Sequence, residues 1–325
     1  MADKTLITVK PPIKVTDNGD GTFSVSIEDV NSDSILAVLG ATDDAIVASG
    51  ATGSISAKLR RATQGLTDLL IGIDYTLDIA REIVSGKSHI NKFGRNPDCD
   101  KAASSTAVNL GRSIWDGGIA GATNWVAPTQ ARLHQLKSSN VNDTSAGSGA
   151  RTVQIYGLDS NYNRYNETLT LNGTSNVATA SYTMIYRMIV RSAGATGWNE
   201  GDIIVTADTD GTVTAKITAT NNQTLMTQYM VPAGKKGYMT NYSATLKKSG
   251  GVAKIADVFL MSMEFGQVWR IRDITSAATD GANNIPHKFE PEKVFQAKEL
   301  IELRANPSAD GQDVSGRYDL ILKDV

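Results

Sequence analysis

From residue 151 to the C-terminus the chain is a succession of short runs in which apolar and polar residues alternate. The runs recur about every ten residues and are bounded by glycine, proline, asparagine or aspartate. Alternation at period 2 marks a strand with one buried face, and no helical period intervenes. Thr152-Val153-Gln154-Ile155-Tyr156 runs into Gly157-Leu158-Asp159, and Glu167-Thr168-Leu169-Thr170-Leu171 is followed by Asn172-Gly173, a strong hairpin signal. Further strands are predicted over 182–190, 202–206, 212–217, 223–231, 237–246, 256–265, 268–272, 299–305 and 318–322. Asp208-Thr209-Asp210-Gly211 and Pro232-Ala233-Gly234 serve as turns between them. The pattern predicts a mainly β chain whose C-terminal domain, 151–325, is an antiparallel β-sandwich or jelly-roll-like fold. No repeat of fixed period suggests a solenoid or propeller.

The first 150 residues read differently. Residues 1–50 form an extended N-terminal arm with one hairpin. Ile13-Lys14-Val15-Thr16 and Thr22 to Ile27 alternate around Asp17-Asn18-Gly19-Asp20-Gly21. Calcium ligation by Asp17, Asn18 and Asp20 is the sharper reading of that tip. It lacks the acidic residue that closes an EF-hand loop, which leaves a plain turn. Residues 51–90 carry a central helix. Ile55, Leu59, Ala62, Leu66, Leu69 and Ile73 follow steps of four and three, and Leu77, Ala80 and Val84 continue after a stutter. Ser54 caps its start and Gly86 its end. Over 54–84 it would span about 45 Å. Gly65 and Gly72 each cost it about 1 kcal/mol relative to alanine, so it needs packing partners. One reading packs it on its own domain. The other places Leu59, Leu66, Leu69, Ile73 and Leu77 in a parallel bundle of copies, which the polar residues flanking the stripe favour. Residues 91–150, with Gly117-Gly118, Gly147 and Gly149, read as a loop-rich linker.

Composition narrows the function. Of 325 residues, 41% are hydrophobic and 20% charged, which excludes wholesale disorder. A net charge of −2 supplies no field for nucleic acid or anionic lipid. No apolar run reaches signal-peptide or membrane-span length, so the chain is expected to be made in a cytoplasm and to stay soluble there, or to leave by some route other than a signal of its own. Cys99 is the single cysteine, which excludes an intrachain disulfide framework and predicts an inert thiol.

Catalytic patterns are sparse. His89, His134 and His287 are far apart, with no metal-ligand spacing, and no Gly-x-Ser-x-Gly elbow is present. Glu290 and Glu292 flank Pro291. A glycosidase carboxylate pair there is weighed against a solvated loop, and the alternating charges favour the loop. Gly117-Gly118-Ile119-Ala120-Gly121 has no following Gly-Lys-Ser/Thr, so a phosphate cradle is not expected. Lys58, Arg60 and Arg61 read as solvating charge on the helix, and the Asn-x-Ser/Thr triplets as chance. No catalytic, cofactor or metal site is expected, and the chain is expected to be a structural or binding protein without enzymatic activity.

Several segments resemble virion structural proteins of tailed bacteriophages. They are Leu39-Gly40-Ala41-Thr42-Asp43 through Gly53-Ser54-Ile55 to Arg61, Arg151 to Asp159, and Glu167-Thr168 to Gly173. Asn199-Glu200-Gly201-Asp202-Ile203 and Gln223-Thr224 through Tyr229 to Gly234 resemble the same class. Together they cover roughly half the chain. The resemblance implies a virion location, first as a capsid decoration (cement) or head-fibre protein, next as a neck or tail component. A receptor-binding adhesin and, further off, a glycan-degrading appendage are the alternatives. The partners it implies are the major capsid protein and copies of this chain. Spacing leaves two strands or three open for the helix, and the threefold positions of capsid lattices favour a homotrimer. The arm is expected to add to a neighbour's sheet edge. The competing reading packs it back on its own domain.

Overall fold

Alternation in the sequence becomes alternation in burial. β5 (His134–Ser138) and β10 (Ile203–Ala207) each bury every second side chain, placing Leu136 beside Val205 across the ladder. The computed structural model describes residues 13–17, 23–27, 59, 61–64, 66, 89–101, 111–117, 124–247, 254–279 and 286–325. The chain divides into two units, Met1–Arg81 and Glu82–Val325.

In the first unit, β1 (Ile13–Asp17) and β2 (Phe23–Ile27) pair antiparallel from Ile13 opposite Ile27 to Asp17 opposite Phe23. The two alternating runs thus form the expected hairpin. Leu59, 61–64 and Leu66 are helical, with the Thr63 hydroxyl donating to the Leu59 carbonyl one turn back at 3.0 Å. The rest of the expected helix lies outside the described residues.

The second unit is mainly β and every strand pairing in it is antiparallel. β5 and β10 lie between β11 (Val213–Ile217) and β8 (Val177–Ala178) in a four-stranded sheet. β6 (Ala150–Leu158) is the middle of a three-stranded sheet with β7 (Arg164–Thr170) and β9 (Met184–Ala193). A third sheet orders β12 (Tyr229–Met230), β17 (Leu300–Pro307), β14 (Ile255–Met263) and β15 (Trp269–Ala278), with β4 (Arg112–Ser113) also on β17. The fourth orders β16 (His287–Phe295), β13 (Lys235–Lys247), β18 (Gln312–Asp324) and β3 (His89–Cys99). One buried apolar cluster draws on all four sheets, including Leu136, Ile155, Leu303 and Leu320. Each such side chain contributes about 1.5–3 kcal/mol on leaving water.

Four expectations need correcting. Residues 91–150 are not a linker, since they supply β3, β4 and β5. β3 escaped notice because it buries Lys92, Gly94, Asn96 and Cys99 rather than a row of aliphatics. Gly94 permits a close approach there, as a Cβ would meet the Ile114 carbonyl at 2.4 Å. Residues 287–293 are strand rather than loop. Their register against β13 skips from Lys293–Met239 to Lys288–Asn241, so the charged, proline-containing stretch bulges instead of breaking the pairing. The run 223–231 pairs as a strand only at Tyr229–Met230, because Thr227 turns both its N–H and its hydroxyl to the Ile114 carbonyl. Finally, Asn172-Gly173 forms a turn, with Gly173 at φ 58° and Ser175 N donating to Asn172 O at 3.1 Å. That turn does not close a hairpin on β7, since β8 pairs with β5.

Candidate functional site

Of the five residues expected to oligomerise the chain, Leu59 and Leu66 lie on the described helical positions and are 65% and 57% exposed. Leu69, Ile73 and Leu77 lie outside the described residues.

A second apolar surface was not anticipated. In the β12-β17-β14-β15 sheet, Ala256, Val258, Leu260 and Ala277 face the core. Residues directly opposite across an antiparallel ladder share a face. The register pairs Ile255 with Ala278, Asp257 with Ser276, Phe259 with Ile274 and Met261 with Ile271 on the face away from that core, where Phe259 and Met261 also lie opposite Arg304 and Glu302 of β17. Phe259 and Met261 are buried, while Ile255 and Ile274 are more than half exposed and Ile271 is 40% exposed. β15 ends this sheet, with no strand on its far side among the described residues. Phe265 and Val268, at the tip of the β14–β15 hairpin, extend the apolar exposure.

The third feature is a cleft of about 250 Å³ between segment 124–134, the start of β9 and the β10–β11 hairpin. Trp125, 4% exposed, is held in its wall by an Nε1 hydrogen bond to the Thr214 carbonyl at 3.1 Å. Tyr182, Met184 and Ile185 also line it. At the rim Arg132 Nη1 donates to Asp210 Oδ2. Bonds from the Thr212 backbone and side chain, then from Arg132, hold the Asp210 carboxyl down at about 2. His134 is buried in the wall, and its Nδ1 has no hydrogen-bond partner. Burial lowers its pKa. The Arg132 carbonyl and the Asp210 and Asp208 charges oppose that shift, and the Arg132 charge adds to it. Burial and the nearby Glu167 carboxylate push the Tyr182 hydroxyl above the ordinary phenol range.

The remaining titratable groups are held as structure. His89 pairs with Asp319 at 3.0 Å and His287 with Asp273 at 3.1 Å, both remote in sequence from His134 and from each other. Glu290 is exposed and engaged by Lys288. Lys92 is buried with Nζ donating to the Tyr186 carbonyl at 2.6 Å, and burial, then Arg187, depress its pKa well below the ordinary lysine value. Among the described residues no group of three His, Cys, Asp or Glu side chains could hold a metal ion, and no helix is long and apolar enough to cross a membrane.

No protein-family model matches the chain, and no curated protein matches it. Among solved structures it is similar to the VP2 subviral particle of infectious bursal disease virus, at 10% identity over 72% of this chain and 71% of that one. The TM-score is 0.16. At that score the likeness assigns neither fold nor function.

Proposed function

We propose that this chain is a non-enzymatic virion structural protein that decorates and stabilises a phage capsid, contacting the major capsid protein and copies of itself. The observation that carries this reading is the exposed apolar side chains along β15, the edge strand of the β12-β17-β14-β15 sheet. A protein acting alone in water rarely leaves Ile271 and Ile274 exposed on an edge strand next to an exposed Val268. A subunit that covers them with a neighbour gains by doing so. The exposed Leu59 and Leu66 support self-association through the helix, as a homotrimer at threefold lattice positions. The β1–β2 hairpin supports an arm that lies on a neighbour, since an isolated two-stranded hairpin is marginal in water. The four sheets serve in this reading as a sandwich-type body that faces outward or bridges capsomers. Many weak symmetric contacts of this kind add through effective concentration.

The test is to add purified chain to capsids lacking it and measure occupancy by quantitative gel and particle imaging. The wild-type chain should saturate the heads, and Ile271→Lys/Ile274→Lys should lower apparent affinity at least tenfold with an unchanged circular dichroism spectrum. Sedimentation with tails alone, or full decoration by the double variant, would overturn the proposal.

A further inference from the structure

We infer that the groove on the outer face of β13, β18 and β3 is a binding site for a small monocarboxylate with an apolar body, anchored by Arg317. The register fixes which side chains meet there. Thr245, Ser315 and Arg95 form one row across the three strands, and Ser243, Arg317 and Phe93 form the next. Directly opposed residues share a face, as do residues two apart on a strand, so all six point the same way. The other face carries Ala244, Leu246, Val314 and Tyr318 into the core. The six line a groove of about 310 Å³, and Leu225 joins them from the segment that bridges Phe93 at Met226.

Charge selects the guest. Two carboxylates share this face, and both are taken. Asp313 accepts from Arg95 Nε and Nη2 at 2.8 and 2.7 Å, and Asp319 is engaged by His89, Asn91 and Asn241. Arg317 is exposed, and its Nε donates to the Ser243 hydroxyl at 3.1 Å, which orients the guanidinium. Its Nη groups bond no carboxylate among the described residues. A guanidinium so held presents paired donors that match a carboxylate. Beside it the Thr245 and Ser315 hydroxyls reach the surface and bond no other group among the described residues. Cross-strand neighbours stand about 5 Å apart, so these hydroxyls can serve the same guest.

The walls select the rest. Phe93 and Leu225, both half-buried, offer aromatic and aliphatic surface. Arg187 lies 6.0 Å from the Phe93 ring centre but outside the groove lining, so it adds positive field without filling the space. The volume admits on the order of a dozen heavy atoms at interior packing density. An inorganic dianion would leave the apolar wall unused, and a polyol would set hydroxyls against it without partners. The inference does not rest on the virion reading, because this groove and the β15 edge belong to different sheets.

The experiment titrates the full ¹⁵N-labelled chain with benzoate, with benzamide as its uncharged isostere, and with inorganic phosphate. Benzoate should bind saturably and at least about tenfold more tightly than benzamide, the margin of a charge-assisted bond. It should shift the Thr245 and Ser315 amides and the Arg317 Nε resonance. Arg317→Gln should bring the benzoate and benzamide affinities together, and Arg317→Lys should restore part of the difference. Thr245→Val/Ser315→Ala should weaken benzoate about fivefold. No saturable benzoate binding at millimolar probe, equal affinity for benzamide, shifts confined to other residues, or binding unaltered by Arg317→Gln would each refute the assignment. Phosphate binding more tightly than benzoate would refute the monocarboxylate class. The wild-type shift map needs no variant, so it decides the matter even where a substituted chain fails to fold.

Discussion

Arg304 and Glu302, two residues apart on β17 and therefore on one face of its sheet, bond through Nε and Nη2 to Oε2 at 3.0 and 2.9 Å. Glu302 is fully buried and Arg304 is 5% exposed. The other carboxylate oxygen accepts from the Ser113 hydroxyl and from Gln228 Nε2 at 3.0 Å. The guanidinium also sits 5.0 Å from the centre of the Trp269 ring. The pair lies within β17, and through it Ser113 on β4 and Trp269 on β15 are tied to that strand.

Glu302→Ala should cost about 3–5 kcal/mol, because it strands a buried cation. Glu302→Leu/Arg304→Met, which removes both charges, should recover most of that loss. Urea unfolding of the single and double variants measures both. A single variant within about 0.5 kcal/mol of wild type, the range of an ordinary surface change, would contradict the role given to this pair.

Asp143 is the second fixed point. Its carboxylate accepts from the Ser138 hydroxyl at 2.6 Å and from the Ala150, Glu200 and Gly201 amides at 2.7–2.9 Å, with no exposure. Asp143→Asn turns an oxygen into a donor facing donors, and should cost about 2–4 kcal/mol. Gly149→Ala should act on the same contact, since a Cβ there lies 2.1 Å from Asp143 Oδ1. Hydrogen exchange at the Ala150, Glu200 and Gly201 amides should accelerate in both variants, and exchange at wild-type rates would argue against the assignment.

Asp116 gives the fold a pH dependence of definite sign. Burial raises its pKa from 3.8 to about 6, against the opposing Thr218 hydrogen bonds and the Lys216 charge. Between those values the native chain holds a proton that the unfolded chain has lost, so this group's contribution falls as pH rises through the window. Asp116→Asn removes the titration and should stabilise the protein at pH 7.5 relative to pH 4 by up to about 3 kcal/mol. Thermal melts of variant and wild type across pH 4–8 read the difference directly, and a flat difference would exclude the effect.

Cys99 should resist alkylation in the native protein. It is fully buried, and burial pushes its thiol up to about 12, with Arg112 opposing. The thiolate is the reactive form, so iodoacetamide should label it only as fast as the chain opens, and rapidly in urea. Rapid labelling of folded protein would show that β3 opens locally.

The alternating runs at 152–156, 167–171, 202–206 and 212–217 anticipated β6, β7, β10 and β11 because each strand follows the period-2 rule within its own few residues. β3 and β16 gave no such signal. β3 pays for burial with Lys92, Asn96 and a glycine, and β16 carries its charges and proline in a bulge. The expected interface residues were apolar at helical spacing, which is a local pattern. The face bearing Ile271 and Ile274 depends on which side of the sheet meets the core, a property of the whole arrangement.

The mainly antiparallel β character and the turn at Asn172-Gly173 follow from residue types and short spacings, because strand period and turn geometry act over a few residues. Partner choice does not follow from them. The ladder from β5 to β8, the bond from Glu302 to Ser113, and the cleft drawn from segments near residues 125–134, 182–185 and 207–214 join groups tens to hundreds of residues apart. Such contacts form only when the sheets share one core, since burial takes water away from each polar group and leaves it to bond with whatever the packing brings near.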